Sequence, residues 1–189
     1  MFKKIFTILI LLSLSSCFWG DDVVSSDSLE TSFDNSDFSM TIPSSWEILE
    51  NANEVLPTPA NGEIVFDAKS TKQYNNFYRN ILVLKQEITS SISSLDFTIW
   101  NQISSSKEYF YTKLLSEKNV IIDSKKTKIY AFDARYSDST PIVKFLQTWI
   151  VCNKTAFLIT LAIESTNPNS ERYEWLLWSF KCKVDGNEA

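Results

Sequence analysis

Pro141–Ser165 reads PIVKFLQTWIVCNKTAFLITLAIES, two long runs of Ile, Val, Leu, Phe, Trp and Thr separated by Asn153-Lys154. Asn tolerates the positive φ that a two-residue hairpin turn demands, so the stretch predicts two antiparallel strands. The second run is apolar on both faces. Phe157, Ile159, Leu161 and Ile163 fall on one side, Ala156, Leu158 and Ala162 on the other. A strand apolar on both sides belongs in the middle of a sheet with a layer over each face. Downstream, Tyr173, Leu176, Leu177 and Phe180 recur at i, i+3, i+4 and i+7, the stripe of a terminal helix able to supply one layer.

The totals narrow the function classes. The chain has 189 residues, 44% of them hydrophobic and 14% aromatic, room for one domain with a sizeable core plus a leader and a linker. Its formal charge of −5 becomes more negative once Lys3 and Lys4 depart with the leader, so nothing draws it electrostatically to nucleic acid. With three Gly residues there is no material for a glycine-rich phosphate cradle. The absence of His removes the commonest general base and the commonest transition-metal ligand, and with them any Ser-His-Asp arrangement.

Residues 1–16, MFKKIFTILILLSLSS, combine two lysines with an apolar run from Ile5 to Leu14 that is too short for a ~20-residue bilayer span. Leu14-Ser15-Ser16-Cys17 resembles the lipobox of bacterial lipoproteins. The resemblance implies cleavage before Cys17, diacylation of its thiol, and stable membrane attachment, since two acyl chains hold where one would only bind reversibly. Residues 17–31 carry this cysteine and a Ser-, Asp- and Glu-rich tether whose end-to-end distance would be roughly 20 Å. The expected address is therefore the cell membrane or outer membrane, on the extracytoplasmic side.

The remaining pattern fills in the domain, 32–184, ahead of a short tail, 185–189. Phe38, Met40 and Ile42 alternate after a polar Asp-Asn-Ser-Asp turn, predicting a small hairpin with Phe33. Pro43 ends it, and Ser44–Glu47 is expected as a tight helical turn. Asn51–Asn61 is expected as loop, Glu63–Ala68 and Asn76–Ile88 as strands. Over Ser93–Leu115 the period changes: Leu95, Ile99, Ile103, Phe110 and Leu114 predict a helix opened by a Ser93/Asp96 capping box. Asn119–Asp123 and Lys128–Tyr136 then form a hairpin across Ser124–Thr127.

Strands, a helix, more hairpins and a final helix describe an α/β protein of α+β type, an α-β-α sandwich around a central antiparallel sheet. The segments FDNSDFSMTIPSSWE (33–47), FYRNILVLKQE (77–87) followed by SLDFTIWNQ (94–102), and VCNKTAFLITLAIES (151–165) with YEWLLWSFK (173–181) resemble the PsbP/Mog1 family. In that family an "IP-x-x-W" opening, an Asn-containing strand before the helix and a closing "SF(K)" recur in this order. The resemblance implies the family's fold and its mostly non-catalytic habit; members include extrinsic lumenal photosystem II subunits, bacterial lipoproteins and a Ran-binding protein.

Candidate sites follow. Cys152 and Cys182 suit a disulfide in an exported protein, which would close a ~30-residue loop; the competing reading is two buried thiols. Trp175 and Trp178 lie opposite the apolar stripe on a helical wheel and are a candidate partner surface, unless loops wrap them. Trp46 reads as a core plug, and Lys125, Lys126 and Lys128 as a solvated turn. Asp133 with Asp138, or Asp21 with Asp22, lack the alternating-oxygen loop of a calcium site. No catalytic residue, cofactor site or metal site is expected. The sequence thus points to a membrane-anchored, non-catalytic binding or assembly module for an envelope protein, or alternatively to a carrier or sensor holding a small apolar ligand between sheet and helix.

Overall fold

The computed structural model describes residues 30–50, 62–106, 109–110, 112–168 and 170–183. Cys17, the leader, most of the tether, the Asn51–Asn61 segment and the tail lie outside the described residues. The apolar hairpin forms β8 (Val143–Cys152) and β9 (Thr155–Glu164), joined by Asn153 at φ 56°. Around it the main antiparallel sheet runs β3-β4-β5-β9-β8-β7-β6, with β3 at Trp46–Ile48, β4 at Glu63–Tyr74, β5 at Phe77–Glu87, β6 at Thr112–Ile122 and β7 at Lys125–Ala134. A second sheet, β1-β2-β10, comprises Glu30–Asp34, Phe38–Pro43 and Lys181–Cys182. β1 therefore begins two residues inside the range read as tether.

The two faces of β9 divide as its sequence predicts. Phe157, Ile159, Leu161 and Ile163 join a core with Phe38, Met40, Ile42, Trp46, Tyr173, Leu176, Leu177 and Phe180. On the opposite face Ala156 and Leu158 pack with Phe97, Trp149 and Val151, while Ala162 packs with Phe132 and Phe145. One layer is thus the small sheet with a 3-10 turn (Ser170–Tyr173) and a short helix, α2 (Glu174–Trp178); the other is α1 (Ser94–Ser106). This is a central antiparallel sheet between two covering layers, with a larger share of sheet than the sequence suggests.

Helix α1 does more than cover apolar surface. The β7–β8 ladder stops at Tyr130–Gln147, so further along β8 the amides lose their partner strand. Ser94 Oγ accepts the Val151 N–H at 2.8 Å, and Thr98 Oγ1 accepts the Trp149 N–H at 3.3 Å. Side chains of α1 thereby satisfy buried backbone donors that would otherwise be orphaned. Its first turn is closed by the predicted capping box, with the Asp96 N–H donating to Ser93 Oγ at 3.1 Å and the Ser93 hydroxyl to Asp96 Oδ2 at 2.6 Å.

Three expectations need correction. The helix expected to reach Leu115 ends at Ser106, and Leu114 and Leu115 lie in β6. Ser44–Glu47 is not helical: Ser44 and Ser45 turn the chain, and Trp46 opens β3, paired with Ser70 and buried in the core. The β6–β7 turn is Asp123-Ser124, at φ 48° and 61°, rather than Ser124–Thr127; Lys125, Lys126 and Thr127 already belong to β7. Asn75-Asn76, at φ 49° and 61°, makes the corresponding turn between β4 and β5.

Candidate docking edge

β6 is an outer strand of the main sheet, and its other edge has no strand against it among the described residues. Nine of its eleven residues are exposed, only Val120 and Ile122 turning inward. Its apolar side chains are left in solvent, Leu114 at 51%, Leu115 at 41% and Ile121 at 67% exposure. A long edge strand with exposed apolar groups invites pairing with another chain.

The β6–β7 register assigns the faces. Leu114 lies opposite Phe132 and Glu117 opposite Tyr130, both on the α1 side, whereas Ser116 lies opposite Ala131 and Lys118 opposite Ile129, on the α2 side. A bulge between Leu114 and Ser116 takes up Leu115. The α1 face of the edge therefore carries Leu114, Glu117, Asn119 and Ile121, and the α2 face Lys113, Ser116, Lys118 and Val120.

α2 extends the second of these faces and separates the two tryptophans. Trp178 remains 46% exposed, with the Lys118 ammonium 5.4 Å from its ring centroid. Trp175 instead packs against the main core as a partly buried side chain. A wheel drawn over the whole terminal segment puts them together, but only Glu174–Trp178 is α-helical, entered from a 3-10 turn. Lys118 also holds Glu174 at 2.9 Å, and on the other face Lys128 holds Glu117 at 3.1 Å.

Elsewhere the polar groups serve the fold. Cys152 and Cys182 are bonded, with Cα atoms 5.8 Å apart, because Lys181–Cys182 extends as β10 beside Phe38 and Ser39. Arg79 is buried; its Nε donates to Glu164 Oε2 at 2.8 Å, its Nη2 to Glu164 Oε1 and its Nη1 to the Tyr173 hydroxyl. The Tyr74 ring lies 3.4 Å from its Cζ. Trp46 is in the core; Lys125 pairs with Asp123 at 2.9 Å. Asp133 and Asp138 form no cluster, and among the described residues no three His, Cys, Asp or Glu side chains converge on a possible metal position. No described helix is long and apolar enough to cross a membrane. Between α1 and the sheet, Phe97 and Trp149 meet edge to face at 5.1 Å; an open recess of about 320 Å³ is lined by Ile92, Leu95, Lys125, Lys126 and Val151.

Asp67 is the exception among the buried acids. It is 5% exposed, and burial pushes its carboxyl from 3.8 up to about 6, with Lys69 and the Ala68 N–H offsetting part of the cost. A raised carboxyl pKa means the folded state binds its proton more tightly than the unfolded chain does. Its contribution is favourable at low pH and is lost as pH rises through about 6. Asp67→Asn is therefore expected to stabilise the protein by about 2 kcal/mol at pH 7.5, allowing for residual solvent screening. The gain should vanish near pH 4 in urea denaturation curves. A gain independent of pH would contradict the assignment.

Structural comparison gives the architecture its context. No protein-family profile and no curated protein sequence matches the chain. The solution structure of cyanobacterial PsbP (CyanoP) from Synechocystis sp. PCC 6803 is similar over 90% of this chain and 99% of its own, at 12% identity and a TM-score of 0.56. The fold is PsbP/Mog1-like. The Saccharomyces cerevisiae Ran-binding protein Mog1p is also similar, over 80% of this chain and 94% of its own, at 10% identity and a TM-score of 0.50. Of the two outer strands of the main sheet, β3 has three residues and exposes Ile48, whereas β6 has eleven, exposes Leu114, Leu115 and Ile121, and has Trp178 beside it.

Proposed function

We propose that this chain is a membrane-anchored, extracytoplasmic binding or assembly module without catalytic activity, held by acylated Cys17 and engaging a protein partner along β6. The exposure of Leu114, Leu115 and Ile121 on an edge strand carries the reading. The lipobox-like Leu14–Cys17 supports the anchor. Mog1p, a Ran-binding protein, shares the fold and supports a protein as partner. An apolar-ligand carrier is less favoured, because the recess beside Ile92 and Leu95 is open to solvent and has Lys125 and Lys126 in its lining rather than being an enclosed apolar cavity.

The test uses the full chain in intact cells, with a photoreactive residue at Ile121 or Leu114. One discrete adduct with an envelope protein is expected, abolished by Leu114→Glu with Ile121→Glu and weakened by Trp178→Ala. These side chains are exposed, so the variants should keep the wild-type melting curve. Indiscriminate adducts, or a discrete one indifferent to the substitutions, would remove β6 as the site. Cys17→Ser should move the protein from the membrane fraction to the soluble extracytoplasmic fraction. Continued membrane retention would overturn the anchor.

A further inference from the structure

The tether and a group of exposed aromatic side chains meet at one end of the domain. We propose that this end, presenting Tyr78, Phe110 and Tyr136, rests in the headgroup layer of the bilayer that holds Cys17, so that the folded domain makes a second membrane contact and stands in one orientation. The inference rests on the anchor proposed above and says which way the anchored domain faces.

Register places the tether. Glu30, the first residue of β1, pairs with Pro43. Two residues on, the Ser45 carbonyl accepts the Thr71 hydroxyl of β4 at 3.0 Å, and Gln73, two residues beyond Thr71, pairs with Tyr78. The tether therefore enters at the end of the main sheet where β4 turns into β5. The three aromatic side chains lie at the same end. Tyr78 is exposed, with the Lys69 ammonium 5.7 Å from its ring centroid. Lys69, Asn80, Ala162 and Phe145 form one row across β4, β5, β9 and β8, and the exposed Tyr136 ring meets Phe145 edge to face at 5.2 Å. Phe110, also exposed, donates its N–H to the Arg135 carbonyl at 3.1 Å, next to Tyr136.

Chain length commits this surface to lipid. Glu30 lies thirteen residues beyond Cys17. A tether of that length spans at most about 45 Å fully extended and roughly 20 Å as a flexible chain. The ten residues of β9 alone carry the sheet about 33 Å from this end to the Asn153 turn. Turning the far end to the bilayer would use most of the tether's full length, whereas the Tyr78 end lies within its relaxed reach. The chemistry agrees, since Tyr pairs an apolar ring with a polar tip and is favoured at the membrane–water boundary. The turns at this end expose the neutral Asn75, Asn76 and Ser139, and their exposed charges, Lys72 and Asp138, are of opposite sign, so the contact needs no anionic lipid. The far end exposes Lys126 and Lys154 at its turns instead. In this orientation β6 runs away from the bilayer, Thr112 near and Ile122 remote, and its edge stays open sideways.

The test uses the mature chain from Cys17 with its disulfide intact and the Cys17 thiol coupled to a maleimide lipid. The vesicles are phosphatidylcholine with headgroup spin-labelled lipid. A fluorescent amino acid replaces either Ser139, near Tyr136, or Lys154, at the far turn. Quenching is expected at position 139, about threefold or more weaker at 154, and unchanged in high salt. Tyr78→Ser with Phe110→Ser alters only exposed side chains, so the variant should keep the wild-type melting curve while quenching at 139 falls about threefold or more. Ile121→Ser, an exposed apolar group at the far end, should change nothing. Quenching that is equal at both positions, greater at 154, absent at both, dependent on anionic lipid or indifferent to the double variant would overturn the contact. Because Cys17 is coupled chemically, the two readings fail separately. Retention of Cys17→Ser on cell membranes with selective quenching intact would remove the anchor alone; its release without selective quenching would remove the contact alone.

Discussion

Arg79→Ala is expected to destabilise the domain by about 3–5 kcal/mol, since it strips the counter-ion from a buried carboxylate. Arg79 is 9% exposed, and its guanidinium donates two hydrogen bonds to Glu164 and one to Tyr173. Burial alone would push the Glu164 carboxyl upward, but the hydrogen bonds and charge of Arg79, with help from Asn167, hold it below its ordinary value. A depressed carboxylate contributes stability in full above its unfolded pKa and loses it as pH falls through the folded value. The penalty of Arg79→Ala should therefore be largest at neutral pH and shrink in acid as Glu164 takes up a proton. The double variant Arg79→Met, Glu164→Leu removes both charges and should recover most of the loss. Urea denaturation of the three proteins at pH 3.5 and 7 checks this. A double variant as unstable as Arg79→Ala would show that packing around Tyr74 and Tyr173, rather than charge, dominates.

Such a pair was invisible in the sequence, where Arg79 and Glu164 are simply two polar residues at strand ends. What could be read was whatever a core imposes. Ala156–Ile163 is a nearly unbroken apolar run because β9 is covered on both sides, and Leu176, Leu177 and Phe180 recur with helical spacing because one side faces the core. β6 leaves no such trace. Its apolar residues face solvent, and Leu114-Leu115 straddles a bulge, so TKLLSEKNVII shows no alternation. Phe110 and Leu114 happen to continue the period of α1, so the spacing carries the expected helix through them. The docking edge was therefore missed for the same reason that it is open: no core imposes a pattern on it. Runs of apolar residues without helical or strand period, next to a lysine-bearing hairpin, were the signal that could have pointed there. Trp175 and Trp178 show the converse limit. An ideal wheel pairs them, but a five-residue helix entered from a 3-10 turn rotates Trp175 onto the core and leaves Trp178 beside Lys118.

Replacing Cys152 and Cys182 by serine is expected to cost about 3–4 kcal/mol, the chain-entropy value for closing a loop of the observed separation of 30 residues. For a folded region of this size that corresponds to a fall in Tm of about 10 °C. Added reductant should lower the wild-type Tm by a similar amount and leave the double serine variant unmoved. Coincident melting of wild type and variant would show that the bond contributes no stability. The loss should also be local before it is global. β10 is two residues long, and it is tied down by the bond, by the Lys183 N–H to the Asp37 carbonyl at 2.9 Å, and by the Cys182 N–H to Asp123 Oδ2 at 3.1 Å. Asp123 is also the first residue of the β6–β7 turn, so freeing Cys182 slackens the end of β6 that holds Ile121. Hydrogen exchange in the serine variant should accelerate at Val120–Ile122 before Thr112–Leu114. Uniform acceleration along β6 would mean that the disulfide stabilises the domain as a whole without bracing its open edge.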